Sequence, residues 1–180
     1  MNIHELKEFM KEDKKALGIN RKKPRMFTDF EWRLEIALRK AEYYNQFKFH
    51  PLRYFYLVYY RRLELKYMTF IPLYTCGKGL SIAHIGGIRI NNNAKIGEYC
   101  RIQEGVTIGA TNGNIKAPKI GNYVYIGSGS KIIGDISIAD RVCIGAGAVV
   151  CKSINSSCTV GGVPAKLINY NDSSKNLKVK

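Results

Sequence analysis

The chain has 180 residues, 46% hydrophobic and 24% charged, with 29 Lys and Arg against 14 Asp and Glu and a formal net charge of +15. This composition is that of one folded globular unit with a modest appendage and excludes a disordered or collagen-like chain. No apolar run approaches the roughly 18 residues of a membrane span, and Met1 to Lys15 is charged without the apolar stretch of a secretory signal, so neither is expected.

Residues 1–68 place apolar residues at helical spacing with charges between them, which predicts an N-terminal α-helical segment. Thr28 or Asp29 stands where a helix through Trp32, Leu34, Ile36 and Leu38 would be capped, and His50-Pro51 breaks the chain before an aromatic stretch from Tyr54 to Leu65. The arginine- and aromatic-rich run from Arg53 to Phe70 is read first as packing, within a helical cap or against another subunit. Peripheral association with an anionic membrane surface is the second reading. The basic residues are scattered over both halves of the chain and no nucleic-acid-binding motif accompanies them, so no nucleic acid is expected as partner.

From Ile90 the sequence beats in sixes: Ile90, Ile96, Ile102, Ile108, Asn114, Ile120, Ile126, Ile132, Ile138, Ile144, Val150, all aliphatic except Asn114. A helix would recur at 3.6 residues and a hairpin array at 2, so the beat points to a parallel β-helix. In such a prism each hexad is a short strand and a turn, the branched anchor points inward, and glycine admits the tight corner. Three hexads per coil predict ladders eighteen residues apart, such as Ile90, Ile108, Ile126 and Ile144. Asn114 lies in a polar stretch from Thr111 to Pro118, read as a loop leaving the prism, and Asn91-Asn92-Asn93 is read as a left-handed corner. Residues 169–180 form a polar tail.

The hexads, the stretch Gly79-Leu80-Ser81-Ile82-Ala83-His84-Ile85-Gly86-Gly87-Ile88-Arg89-Ile90, and the ending Gly161-Gly162-Val163-Pro164-Ala165-Lys166 resemble the serine acetyltransferase branch of the hexapeptide-repeat acyltransferases. The resemblance covers residues 69–168. It implies a mainly β fold, a left-handed parallel β-helix whose hand opposes the usual right-handed crossover. It further implies a homotrimer, with acetyl-coenzyme A as co-substrate bound between neighbouring prisms; a cytoplasmic location is expected from the cysteines and the lack of a secretory signal, and no metal is expected from the histidine count.

The resemblance puts the family's catalytic histidine on His84. By strict beat, six before Ile90, that imidazole would face the core, and the Gly86-Gly87 pair is what can break the phase. The histidine's ordinary pKa near 6.5 suits a general base. A backbone N–H near Gly109 or Ala110 would hold the oxyanion. By the same resemblance coenzyme A would meet the backbone at Ser128 and Ala146 and the side chains of Lys152 and Lys166. The aspartate that orients the family's histidine falls on Thr69, the aspartate directly before it on Ala83, and a second active-site histidine on Ala117.

Those three losses lead to the expectation of a sugar or oligosaccharide acceptor, as in capsule, lipopolysaccharide or exopolysaccharide assembly. Serine O-acetylation and a catalytically silent β-helix scaffold are the alternatives. His4 and His50 are read as solvated, and a three-histidine metal site has too few histidines in the repeat. The five cysteines, without a C-x-x-C pair, are read as reduced thiols: Cys100 as core, Cys143 and Cys151 as turn residues.

Overall fold

A computed structural model describes residues 1–111 and 115–179, so the expectation for Asn114 lies outside the described residues. Three helices come first: α1 (Ile3–Ala16), α2 (Phe30–Asn45) and α3 (Pro51–Tyr67). Asn2 and Glu5 close a reciprocal capping box at the start of α1. In α3, Pro51 supplies the fixed φ of a first helical residue and the His50 ring accepts from the Leu52 N–H at 3.2 Å, so His50 is a cap rather than merely solvated. Asp29 precedes α2 but its carboxylate takes Arg21 and the Arg25 N–H instead of the helix's own amides.

Among the described residues thirteen short strands follow in chain order: β1 (Ser81–Ile82), β2 (Arg89–Ile90), β3 (Lys95–Ile96), β4 (Arg101–Ile102), β5 (Thr107–Gly109), β6 (Lys119–Ile120), β7 (Tyr125–Ile126), β8 (Lys131–Ile133), β9 (Ser137–Ile138), β10 (Cys143–Ile144), β11 (Val149–Val150), β12 (Thr159–Gly161) and β13 (Lys166–Asn169). They stack into three sheets, β1-β4-β7-β10-β12-β13, β2-β5-β8-β11 and β3-β6-β9, which are the three walls of a left-handed β-helix. All pairings are parallel except β12 with β13. The second residue of nearly every two-residue strand is buried, so the interior is a column of isoleucine and valine with Ala94, Cys100, Val106, Val124 and Ala148 beside it.

The register corrects the predicted ladder. Ile90 does stack on Ile108, but Ile108 then pairs with Ile132 and Val150 follows, while Ile126 lies between Ile102 and Ile144 on the neighbouring wall. The cause is the segment after β5, which inserts one hexad between consecutive coils and moves every later anchor round by one wall. Two further expectations shift. Glycines after anchors serve close coil-to-coil approach: a Cβ on Gly127 would lie 2.6 Å from the Ala146 nitrogen. Within the prism the left-handed positions at non-glycine residues fall on Tyr74, Tyr99, Tyr123 and Arg141, while Asn91 accepts from the Asn93 N–H at 2.8 Å in an Asx turn. Cys143 lies buried in β10 and not in a turn.

A β-helix must end, and its first coil, Phe70 to Ile82, would leave N–H and C=O groups without a coil to pair with. The three helices supply the missing partners. Glu64 accepts from the Ile71 N–H, Glu42 from Tyr74, Asp13 from Leu80 and Glu35 from Ile82, all at 2.8–3.1 Å. Arg39, fully buried, donates to the carbonyls of Cys76 and Gly77 and pairs with Asp13 at 2.7 Å and Glu42 at 3.0 Å. Burial raises the Glu35 pKa well above its ordinary value, and the nearby Asp13 carboxylate adds to this.

A raised folded-state pKa means that this acid's stabilising contribution is complete below its unfolded pKa and is lost as pH rises through the folded value. Glu35→Gln keeps the acceptor for Ile82 without the titration. Its thermal midpoint should therefore match the native protein near pH 4 and exceed it increasingly towards pH 9, which a pH series of thermal melts will check.

Candidate functional site

Within one coil, the wall containing β1 meets the wall containing β2 at a corner whose successive rungs the register identifies. Ile82 pairs with Ile102, Ile102 with Ile126 and Ile126 with Ile144, so two residues further along His84, Glu104, Ser128 and Ala146 descend the corner in one column. Rungs of such a stack are about 4.8 Å apart. The first rung is two residues longer than the second: on the strand-exit side Ala83 donates to Ile102, on the strand-entry side Gly105 donates to the Gly86 carbonyl at 2.8 Å. His84 and Ile85 are the surplus and bulge outward above Glu104.

The imidazole of His84 is exposed, as the Gly86-Gly87 pair predicts. Gly86 and Gly87 have φ of 115° and 68°, conformations open to glycine, and Ile82 and Ile88 take the inward positions in place of His84. The bulge is anchored from behind by Thr69, fully buried, whose hydroxyl accepts from the Gly86 N–H at 2.9 Å and donates to the Tyr67 carbonyl at 3.0 Å. Thr69 thus fixes the backbone that carries the histidine.

Glu104 was missed by sequence reasoning. Its carboxylate accepts from the Ser128 hydroxyl at 2.5 Å, and its second oxygen is closed to solvent without a hydrogen-bond partner. The Ser128 bond holds its pKa below the ordinary value, with a smaller contribution from the nearby His84. The signal that could have found it is the Gly-Gly bulge, which changes the spacing from eighteen residues to twenty and puts 104, not 102, beneath 84.

The remaining expected site residues lie at the next corner, where the second wall turns into the third. Asn92, Ala110, Gly134 and Lys152 share that column, with Gly109 pairing Ile133 beside it. The Gly109 carbonyl is taken by the Gly134 N–H at 2.9 Å. So one chain brings His84, Ser128 and Ala146 together, and separately Gly109, Ala110 and Lys152. Lys166, at the start of β13, joins Lys152 on the wall of a groove of about 400 Å³ at the far end of the prism, floored by Val150, Ile154 and Val160. Ala146, Lys152 and Lys166 are exposed; Gly109, Ala110 and Ser128 are half-buried.

No cysteine shares the histidine's column. Burial pushes the thiols of Cys76 and Cys100 up to about 12, which leaves them inert as nucleophiles. On the helical side of the His84 corner, Ala83 lines a cleft of about 210 Å³ together with Arg101, Lys178, Arg21 and Trp32. Arg101 donates to the Ser81 hydroxyl at 2.7 Å and burial pulls its pKa down; burial and the neighbouring Arg101 pull Lys178 down as well.

Residues 117–152 match the family described as bacterial transferase hexapeptide (six repeats). The chain is 42% identical over 94 residues to a serine acetyltransferase of Synechococcus elongatus, a match that covers 51% of this chain and 38% of that protein's length. Among solved structures, serine acetyltransferase from Brucella abortus strain S19 superposes with a TM-score of 0.78 at 27% identity, covering 96% of this chain and 72% of that one. The structure of the Brucella abortus enzyme in complex with coenzyme A gives 0.71 at 27% identity, covering 92% and 67%.

These likenesses overturn the expectation of a sugar acceptor in polysaccharide assembly, because the relatives carry the name serine acetyltransferase. The physical reason lies in two of the three substitutions behind that expectation. Thr69 and Ala117 are both buried, at 0% and 4% exposure, so packing decides what stands there and neither informs on an acceptor's chemistry. Residues 117–152 thus carry the repeat of the bacterial hexapeptide transferases, and by its three-walled prism and these likenesses the β-helical part of the chain is similar to that family.

Proposed function

We propose that the chain transfers an acetyl group from acetyl-coenzyme A to the hydroxyl of free serine, with His84 as general base. The observation that carries this reading is the exposed imidazole on a bulge whose backbone is pinned by Thr69 and Gly105. A neutral imidazole nitrogen takes the serine hydroxyl proton as the oxygen attacks the thioester carbonyl. The tetrahedral intermediate then expels the coenzyme A thiolate, which recovers the proton from the imidazolium, and the products are O-acetylserine and free coenzyme A.

The same reading calls for a trimer. His84 occupies one corner of the second wall, while Gly109, Ala110 and Lys152 occupy the other, so oxyanion donors and the base meet when the corner of one prism faces the other corner of its neighbour. Coenzyme A would run down that seam along Ser128 and Ala146 towards Lys152 and Lys166. The cleft beside Ala83 offers an amino-acid acceptor charges of both signs, which a neutral sugar does not need: Arg101 and Lys178, two partly desolvated cations to which no carboxylate of the described residues is hydrogen-bonded, would receive the substrate's carboxylate, while Asp29 and Glu31 on the same lining would face its ammonium.

Thiol release from acetyl-coenzyme A with and without L-serine, with O-acetylserine identified by mass spectrometry, tests the proposal. Binding of coenzyme A without serine-dependent release would overturn the acceptor, and absence of coenzyme A binding by calorimetry would leave the non-catalytic scaffold. Arg101→Ala should raise the KM for serine roughly tenfold or more, with kcat and the KM for acetyl-coenzyme A little changed, as loss of a charge-assisted bond to the acceptor requires.

A further inference from the structure

We propose that Glu104 is the positioning residue of this site: its carboxylate receives a ring N–H of His84 and fixes which imidazole nitrogen is left free to act as base. The inference rests on His84 being the base.

Three observations converge on it. The register puts His84 at the start of the bulge that opposes Glu104 on the next coil, near enough for the two to interact electrostatically, and rungs spaced about 4.8 Å are within reach of a glutamate side chain. The Ser128 hydroxyl, one rung further down, bonds one carboxylate oxygen and so fixes the rotamer of Glu104 from the side away from the histidine. The other oxygen is shut off from water and accepts nothing from the described residues. A buried carboxylate oxygen without a donor is costly, and the histidine above it carries ring N–H groups to give.

The competing cation is Lys131, but its ammonium is bonded to the Gly105 carbonyl at 2.7 Å. Thr69 cannot do this work, since its hydroxyl is engaged with Gly86 and Tyr67. The column His84–Glu104–Ser128 is therefore a base, an orienting acid and a residue that holds the acid, each from a successive coil.

Such a group acts by selecting a tautomer. With the carboxylate accepting from one nitrogen, the neutral ring keeps its proton there and presents a lone pair at the other; without it, both tautomers populate and the base is wrongly protonated in a fraction of the molecules. In a serine protease the equivalent loss lowers kcat by about 10⁴.

The test is Glu104→Gln, which keeps size and an oxygen for Ser128 but cannot act as the carboxylate does, with Glu104→Asp, one methylene shorter, as the second variant. In the intact protein the two ring nitrogens of His84, assigned by their disappearance in His84→Ala, should give the separated ¹⁵N shifts of a single neutral tautomer. Both variants should move them towards the averaged values of a mixture. Serine-dependent kcat should fall about 100-fold in each, with the KM for acetyl-coenzyme A and the thermal midpoint unchanged. An unaltered ¹⁵N pattern in a folded variant would overturn the inference whatever the substrate proves to be. A shifted pattern in a protein inactive on serine would sustain it and count only against the acceptor.

Discussion

Replacing His84 with alanine is expected to lower kcat for serine-dependent thiol release by about 10²–10⁴-fold, the usual contribution of a general base. Fold and coenzyme A binding should stay as they are, because none of the bonds that hold the bulge passes through the imidazole. Ala83 donates to Ile102, Gly86 to Thr69 and Gly105 to Gly86. The side chain is exposed, so its truncation opens no cavity. Steady-state kinetics beside calorimetry with coenzyme A and a thermal melt will separate the two effects. A variant that turns over at the native rate would end the case for His84 as base, and a loss of coenzyme A affinity equal to the loss of rate would make it a binding residue instead.

The prism was legible in the sequence because its wall geometry repeats with the chain. One branched residue must point inward per strand, a strand and its corner take six residues, and the beat from Ile90 to Val150 states this directly. What the beat could not carry is phase across an insertion. The extra hexad after β5 keeps every anchor on the six-residue count while moving it to a different wall, so Ile108 and Ile126 look like neighbours and are not. The helical cap hid for a different reason. Asp13, Glu35, Glu42 and Glu64 sit among solvent-facing charges and have no composition to mark them, and only the three-dimensional end of the first coil gives them amides to accept from.

At the site, His84 stood out because the family resemblance falls on it and it is the histidine at which the prism begins, and the Gly-Gly pair after it accounts for its escape from the core position that the beat would assign. The same pair misled the reading of its surroundings. By lengthening one rung it puts Glu104 under the histidine, where an eighteen-residue count points to Ile102. The missing aspartate was sought at Thr69, whose hydroxyl in fact anchors the bulge from behind. A loss at one coil position and a carboxylate on another coil are unrelated in sequence and adjacent in space.

Arg39→Met is expected to cost about 3–5 kcal/mol, the penalty for stripping one partner from a buried ion pair, and to lower the thermal midpoint by roughly 6–20 °C for a chain of this size. The guanidinium is fully buried and is the cation for both Asp13 and Glu42 as well as the donor to the Cys76 and Gly77 carbonyls. Buried triads of this kind can often be exchanged for apolar residues, but this one cannot, because the two acids also accept from the Leu80 and Tyr74 amides. Adding Asp13→Asn and Glu42→Gln to Arg39→Met should therefore recover most of the loss, since the amides keep an acceptor while the unpaired charges vanish. Asp13→Leu and Glu42→Leu should not. Acidification should act in the same sense: burial already raises the Asp13 pKa, and with Arg39 gone the deficit of the single variant should shrink as pH falls and the carboxylates take up protons. Thermal melts of the three variants at pH 5 and 8 will decide it. A single variant within about 2 °C of the native protein at pH 8, or an apolar triple as stable as the amide one, would show that the helices hold the first coil by packing and not through these charges.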